Sequence, residues 1–183
     1  YAGAAVLVGN AAICTGVGLA TIATPESIQS AIASRVFPEV MTRSLPETKN
    51  GSISEKAFDE VAEFISGKID AVALGSGLSA TDSSTKKFVK KFVEKRETPV
   101  IIDADGLNLL APFKVKGSEL LPLILTPHQG EFLKLLGTKN KEILNDCVSA
   151  VREFAEKHCV IIVLKGERAL IAAQPGEASV EQV

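Results

Sequence analysis

The residues suited to chemistry sit in short polar segments that interrupt apolar runs. In Leu125-Thr-Pro-His-Gln-Gly-Glu131 a histidine and a glutamate stand three apart, directly after such a run. One turn of helix would bring both to the same face. An imidazole in a first helical turn feels the positive end of the dipole, which disfavours its cationic form and leaves a ring able to donate or accept a hydrogen bond. Glu131 beside it would suit a magnesium ion or its water. The segment also has a structural use, because Thr126 fits an N-cap, Pro127 the first helical position and Gln129 the reach-back position of a capping box. On that reading His128 and Glu131 are surplus to the cap and free for a ligand.

Three other segments carry unusual residues. Gly75-Ser-Gly-Leu-Ser-Ala80 fits G-x-G-x-x-G/A, in which glycines let backbone amides approach an anion, and Asp82 or a nearby serine would open the next helix. It reads either as an anion-binding loop, with Asp103 as a ribose ligand, or as an ordinary tight turn. Asp103, Asp105 and Asn108 follow the apolar Val100-Ile-Ile102. Two carboxylates and an amide suit sugar hydroxyls or a metal-bound phosphate; alternatively one aspartate caps a short helix around Leu107 to Ala111. Lys165-Gly166, between two apolar runs, reads equally as a phosphate or adenine contact and as a solvated hairpin. His158, at the end of a long helical stripe, reads as a helix-end cation with no part in a site.

The elements that must position these residues alternate. Strands are expected around Leu19–Ala23, Val40–Leu45, Ala71–Leu74, Val100–Asp103, Leu123–Thr126, Val160–Leu164 and Ala169–Ala173. Helices are expected at Gly3–Thr15, Pro25–Ala33, Ser54–Ser66, Asp82–Lys95, Pro127–Leu136 and Lys141–His158. Repeated βα units of this kind predict an α/β fold of three layers, a mainly parallel sheet with helices on both faces. A parallel sheet gathers ligands at the carboxyl ends of its strands, which is where the four segments fall.

Composition limits the rest. A chain of 183 residues that is 46% hydrophobic fits one domain with one core, and a net charge of −2 gives no electrostatic case for nucleic acid. No apolar run approaches the roughly 18 residues of a membrane span. Cys14, Cys147 and Cys159 are odd in number and lack Cys-x-x-Cys spacing, which favours reduced thiols in the cytoplasm over a disulfide framework or zinc site. The chain opens at Tyr1 without methionine and closes on a segment that reads as the start of a new strand. It is therefore expected to be a fragment of a longer domain.

Taken in order, Tyr1-Ala-Gly-Ala4 with the apolar stretch behind it, Gly75-Ser-Gly-Leu78, Pro99-Val-Ile-Ile-Asp-Ala-Asp-Gly-Leu-Asn-Leu-Leu110, the Thr126-Pro-His segment and Val160-Ile-Ile-Val-Leu-Lys-Gly166 resemble the carbohydrate-kinase-like NAD(P)H-hydrate dehydratases of the ribokinase-like fold. The resemblance implies an enzyme, a hydro-lyase that restores NADH or NADPH from the hydrated S-epimer with ADP or ATP as co-substrate and magnesium as cofactor. It implies that Ala4, Gly77 and His128 contact the hydrated nicotinamide nucleotide, joined by Asp105 and Asn108 on the residue chemistry above. By the same resemblance Lys165, Gly166, Glu167, Arg168 and Ala169 line the adenine nucleotide, Glu131 stands on the magnesium side, and a homo-oligomer is expected.

The chain also departs from the family pattern. The family's glycine loop usually reads Gly-Pro-Gly-Leu-Gly, and Ser76 and Ser79 replace its proline and last glycine. Glu167 and Arg168 are bulky and charged where small residues are usual. The family's Gly-x-Gly-Asp motif, which supplies the anion hole and the catalytic base, does not occur in the sequence and is expected beyond Val183, so no catalytic residue is assigned within this chain. Two other readings remain: a small-molecule kinase of the same fold, and a non-catalytic nucleotide-binding module.

Overall fold

The computed structural model describes residues 1–173 and 181–182. Its helices are α1 (Ala2–Cys14), α2 (Gln29–Ala33), α3 (Ala57–Ile65), α4 (Ser83–Glu94), α5 (Asp105–Leu110), α6 (Gln129–Leu136) and α7 (Cys147–His158). Its strands are β1 (Ala20–Pro25), β2 (Val40–Leu45), β3 (Val72–Leu74), β4 (Val100–Ile102), β5 (Leu123–Leu125), β6 (Ile161–Leu164), β7 (Leu170–Ala172) and β8 (Glu181–Gln182). Two helices expected to run unbroken instead begin with 3-10 turns, at Glu26–Ile28 and Lys141–Asp146. In the second case Asp146 caps α7 by accepting the Ser149 N–H, which resets the helix start to Cys147. The Ala169–Ala173 strand is present but runs antiparallel to β6, so Lys165–Ala169 forms its connecting turn.

The strands form two sheets. β1 and β2 pair in parallel by themselves, Ala20 opposite Val40 and Pro25 opposite Leu45. Alternation in β2 sends neighbouring side chains to opposite layers. On one side Gly9 of α1 makes room for Ile22 and Val40, and Gln29 of α2 donates to the Thr42 carbonyl and hydroxyl at 3.3 Å each. On the other, Arg43 pairs with Glu60 of α3 at 3.1 Å and lies over the Phe64 ring. This is the layered arrangement that the alternating pattern predicts.

The larger sheet runs β3-β4-β5-β6-β7-β8, parallel through β6 and antiparallel beyond. Consecutive order with right-handed crossovers stacks the connecting helices on one face. That face carries Val100, Ile102, Leu123, Leu125 and Ile162, all fully buried against Phe88 and Val89 of α4, Leu107 of α5, Phe132 of α6 and Phe154 of α7. Each such side chain contributes about 1.5–3 kcal/mol by leaving water. The four-residue spacing in α4 (Phe88 with Phe92, Val89 with Val93) keeps one stripe on the core, and Asp82 caps that helix through the Ser84 and Thr85 N–H groups.

His158 corrects its sequence reading. It lies within the core, not in solvent, its ring edge-on to Phe113 at 5.1 Å and 4.6 Å from Phe154, with Nδ1 3.2 Å from the Val115 carbonyl. Burial lowers its pKa from the ordinary 6.5; the Val115 hydrogen bond opposes this, and Lys157 and Lys116 reinforce it. The folded state therefore holds fewer protons than the unfolded chain at mildly acidic pH, so stability is expected to fall as pH drops below about 6.5. Urea midpoints measured from pH ~7 to ~5.5 should decline in the parent and decline less in His158→Phe; equal slopes would remove His158 as the cause.

Candidate functional site

The candidate residues converge where β3, β4, β5 and β6 end together. Leu74 of β3 runs into Gly75-Ser-Gly-Leu-Ser79, which packs directly on the end of β4. Gly75 has φ +127°, and a Cβ added to it would overlap the Asp103 carbonyl oxygen. Gly77, at φ +83°, lies against the first turn of α1: an added Cβ would come within 2.7 Å of the Tyr1 carbonyl and 3.2 Å of Ala4 Cβ. The Tyr1 nitrogen donates to the Gly77 carbonyl at 2.8 Å. Ala4 and Gly77 are therefore neighbours. Ser79 adopts φ 67°, a left-handed conformation that a glycine would hold without strain.

The end of β4 departs from expectation. Neither aspartate caps α5, whose N-cap is Ala104 with no side-chain cap. Asp105 accepts the Ser79 N–H at 2.9 Å and so anchors the glycine loop. Asp103 pairs with Lys165 Nζ at 2.6 Å, while its N–H donates to the Leu74 carbonyl and its carbonyl accepts from Gly106. Between them Ala104 adopts φ 50°, ψ −120°, a backbone state that costs a residue with a Cβ about 1–3 kcal/mol. Burial opposes ionisation of Asp103, but hydrogen bonds from Lys165, Thr126 and the Ala104 N–H, with the Lys165 charge, outweigh it and hold the carboxyl below its usual range. Asn108 Oδ1 accepts from Lys134 Nζ at 2.7 Å, and its amide donates to the Ala104 carbonyl at 3.1 Å.

The turn after β5 also differs. The cap of α6 is His128, two residues beyond Thr126. Its Nδ1 accepts the Gly130 N–H at 3.0 Å and the Glu131 N–H at 3.3 Å, while Glu131 Oε2 accepts the His128 N–H at 3.0 Å. His128 and Glu131 are thus the capping box itself, not surplus to it. The reason is backbone register: the His128 N–H side remains extended, and the parallel pairing of β5 with β6 continues through Lys165 N–H to the Pro127 carbonyl at 2.8 Å, which delays the helix. Because Nδ1 accepts, the ring proton sits on Nε2, 3.6 Å from Glu131 Oε1, on a side chain that is 61% exposed. Glu131 itself is buried.

Two clefts flank this mouth. One, of about 270 Å3, lies between α1, the end of β1 and the glycine loop, with Tyr1, Thr24, Asn50, Ser52, Gly77 and Leu78 among its walls. Thr24, Asn50 and Ser52 were not singled out in the sequence, since none belongs to a recognisable pattern. The other, of about 260 Å3, is lined by Gln129, Cys147, Lys165, Gly166, Glu167 and Arg168. Ala4 lies beside Gly77 and Asp105 holds Ser79 of the same loop, Asn108 is turned to Lys134, Lys165–Arg168 line the second cleft, and His128 follows β5, between the two in strand order. No group of three or more His, Cys, Asp or Glu residues arranged to hold a metal occurs among the described residues.

A parallel sheet with an anion-type glycine loop and polar strand ends between two clefts defines an α/β protein of the ribokinase-like class. At the level of fold it resembles Escherichia coli phosphofructokinase-2, with a TM-score of 0.56 at 14% identity over all of this chain and 64% of that one. Within that class the chain belongs to the NAD(P)H-hydrate dehydratase family, whose sequence profile matches residues 1–183. It is 38% identical over 176 residues to the bifunctional NAD(P)H-hydrate repair enzyme Nnr of Moorella thermoacetica, covering 96% of this chain and 33% of that protein. It superposes on the ADP/ATP-dependent NAD(P)H-hydrate dehydratase of Bacillus subtilis, co-crystallised with ATP and magnesium, with a TM-score of 0.74 at 29% identity, covering 98% of this chain and 58% of that one. The chain thus spans about a third of the length of its curated relatives.

Proposed function

We propose that this chain forms the main part of the dehydratase domain of an ADP- or ATP-dependent enzyme that restores NADH or NADPH from the hydrated S-epimer. The observation that carries this is a pair of clefts beside the gathered strand ends, one at the glycine loop and one at Lys165, in a chain of this family. The hydrated nicotinamide nucleotide occupies the cleft beside Ala4 and Gly77, with Asp105 and Asn108 holding the loop and turn that shape it, and the exposed ring of His128 donates to it from Nε2–H. The adenine nucleotide occupies the cleft of Lys165, Gly166, Glu167, Arg168 and Ala169. The substrate hydroxyl takes a phosphoryl group and then leaves as phosphate, a far better leaving group than hydroxide.

Magnesium supplies charge neutralisation on the transferring phosphates. The residues fit a magnesium held mainly by phosphates and water, as is usual for this ion. The Glu131 carboxylate is turned toward His128, and it would meet a bound magnesium through one of the ion's waters. The whole enzyme is read as a cytoplasmic homo-oligomer; among the described residues no helix is long and apolar enough to cross a membrane.

The test is recovery of NADH absorbance from hydrated NADH by the intact gene product with magnesium and either nucleotide. Recovery that needs ADP or ATP is expected, and the nucleotide required names the donor. Phosphorylation of the hydrate without release of NADH would overturn the dehydratase in favour of a kinase. Nucleotide binding with no reaction would leave only a binding module.

A further inference from the structure

Lys165 and Asp103 are 62 residues apart in sequence, yet Lys165 Nζ lies 2.6 Å from Asp103 Oδ1. The strand order is β4-β5-β6, so the Lys165 and Asp103 side chains together bridge the end of β5, where the two outer strands stand roughly 10 Å apart. Both ends of this span are fixed by backbone. Lys165 N–H is bound to the Pro127 carbonyl, and Asp103 is held by Leu74 and Gly106 against a glycine that leaves it no room to move. Lys165 lines the cleft assigned to the nucleotide, whereas its ammonium is drawn out of that cleft toward the glycine loop. The next residue but one, Asp105, holds that loop through Ser79.

As a device for stability the pair makes little sense. Its side chains are 45% and 36% exposed, and ion pairs that accessible to water contribute little. As an aiming device it makes good sense, because an unrestrained lysine samples many rotamers and loses that freedom only at an entropic cost. Nor is Asp103 free as a direct ligand, since its Oδ1 already accepts from Lys165 Nζ.

We propose that Asp103 is a positioning residue that holds the Lys165 ammonium between the glycine loop and the Lys165 cleft, where it meets the phosphoryl group in transit. The proposal rests on reading the Lys165 cleft as the nucleotide site. It separates binding from turnover. The lysine attracts the nucleotide anion wherever it sits, while the aspartate repels that anion and contributes only by fixing the lysine.

The experiment uses the intact gene product carrying Asp103→Asn, Lys165→Met, both changes, or Lys165→Arg. Affinity for ADP and ATP is measured by equilibrium dialysis, beside kcat and KM for dehydration. Lys165→Met is expected to weaken nucleotide binding about tenfold or more, as loss of a charge-assisted hydrogen bond does, and Lys165→Arg to restore part of it. Asp103→Asn is expected to leave affinity unchanged or tighter while kcat falls about ten- to a hundredfold. In the Lys165→Met background Asp103→Asn should cost nothing further. A fall in kcat of the same size in both backgrounds would show that Asp103 acts on its own and overturn the proposal, as would loss of affinity without change in kcat. If the parent binds nucleotide but dehydrates nothing, the proposed reaction fails separately. The pair is then judged by affinity, standing if Asp103→Asn retains binding that Lys165→Met loses and falling otherwise.

Discussion

Gly75→Ala is expected to lower stability by about 4 kcal/mol or more, enough to leave much of the protein unfolded given the usual margin of ~5–15 kcal/mol. Two costs combine. The residue sits at φ +127°, where a Cβ is strained, and that Cβ would overlap the Asp103 carbonyl oxygen and lie 2.8 Å from Gly106 N. Those atoms are backbone at the end of a buried strand, so no flexible side chain can yield. Relief requires moving the glycine loop away from β4, which breaks the Asp103 N–H bond to Leu74 and slackens the Ser79 bond to Asp105. Gly3→Ala is the control: nothing lies within 4 Å of its added Cβ, and within α1 the change is expected to be neutral or to add about 0.5–1 kcal/mol. Urea unfolding of both variants decides the matter. A Gly75→Ala midpoint close to the parent's would mean that the two strand ends are not packed as described.

His128→Asn should separate the two uses of this histidine. Asparagine ranks with the best N-caps, so the start of α6 is expected to keep its stability within about 0.5 kcal/mol, whereas His128→Ala should lose about 1 kcal/mol. Both variants lack the ring Nε2–H. Each is expected to lower kcat/KM for hydrated NADH by roughly tenfold, the range of one hydrogen bond to the substrate. Full turnover by His128→Asn, with loss only in His128→Ala, would reduce His128 to a cap and shift substrate orientation to the glycine loop. The two readouts are independent, since melting reports the cap and the assay reports the ring.

The correction at His128 also marks the boundary of what a sequence can decide. Local rules assigned the cap to Thr126 because Thr-Pro-x-Gln satisfies every preference of a helix start. They lacked one fact, that Lys165 N–H binds the Pro127 carbonyl and extends the β5–β6 pairing past the end of β5. That bond joins residues far apart in the chain, and it moved the helix start by two residues. The same limit applies to Asp103 and Asp105. Each is a good cap by type, and each was drawn instead to a partner elsewhere, Lys165 in one case and the Ser79 N–H in the other. His158 was misread for the same reason, because Phe113 and Val115, which bury it, lie over 40 residues away.

Legible in the residues alone were the alternation of strands and helices, the parallel core of β-branched runs, a helix start at Asp82 or a nearby serine, and the gathering of glycine loop, aspartates, histidine and lysine at strand ends. Each follows from periodicity or from the backbone preference of one residue, and these act over a few neighbours. Only the tertiary structure decided that β1 and β2 pair apart from the larger sheet, that β7 turns antiparallel, and which donor each carboxylate takes. Those choices depend on hydrogen-bond partners that only the folded register brings within 3 Å of one another.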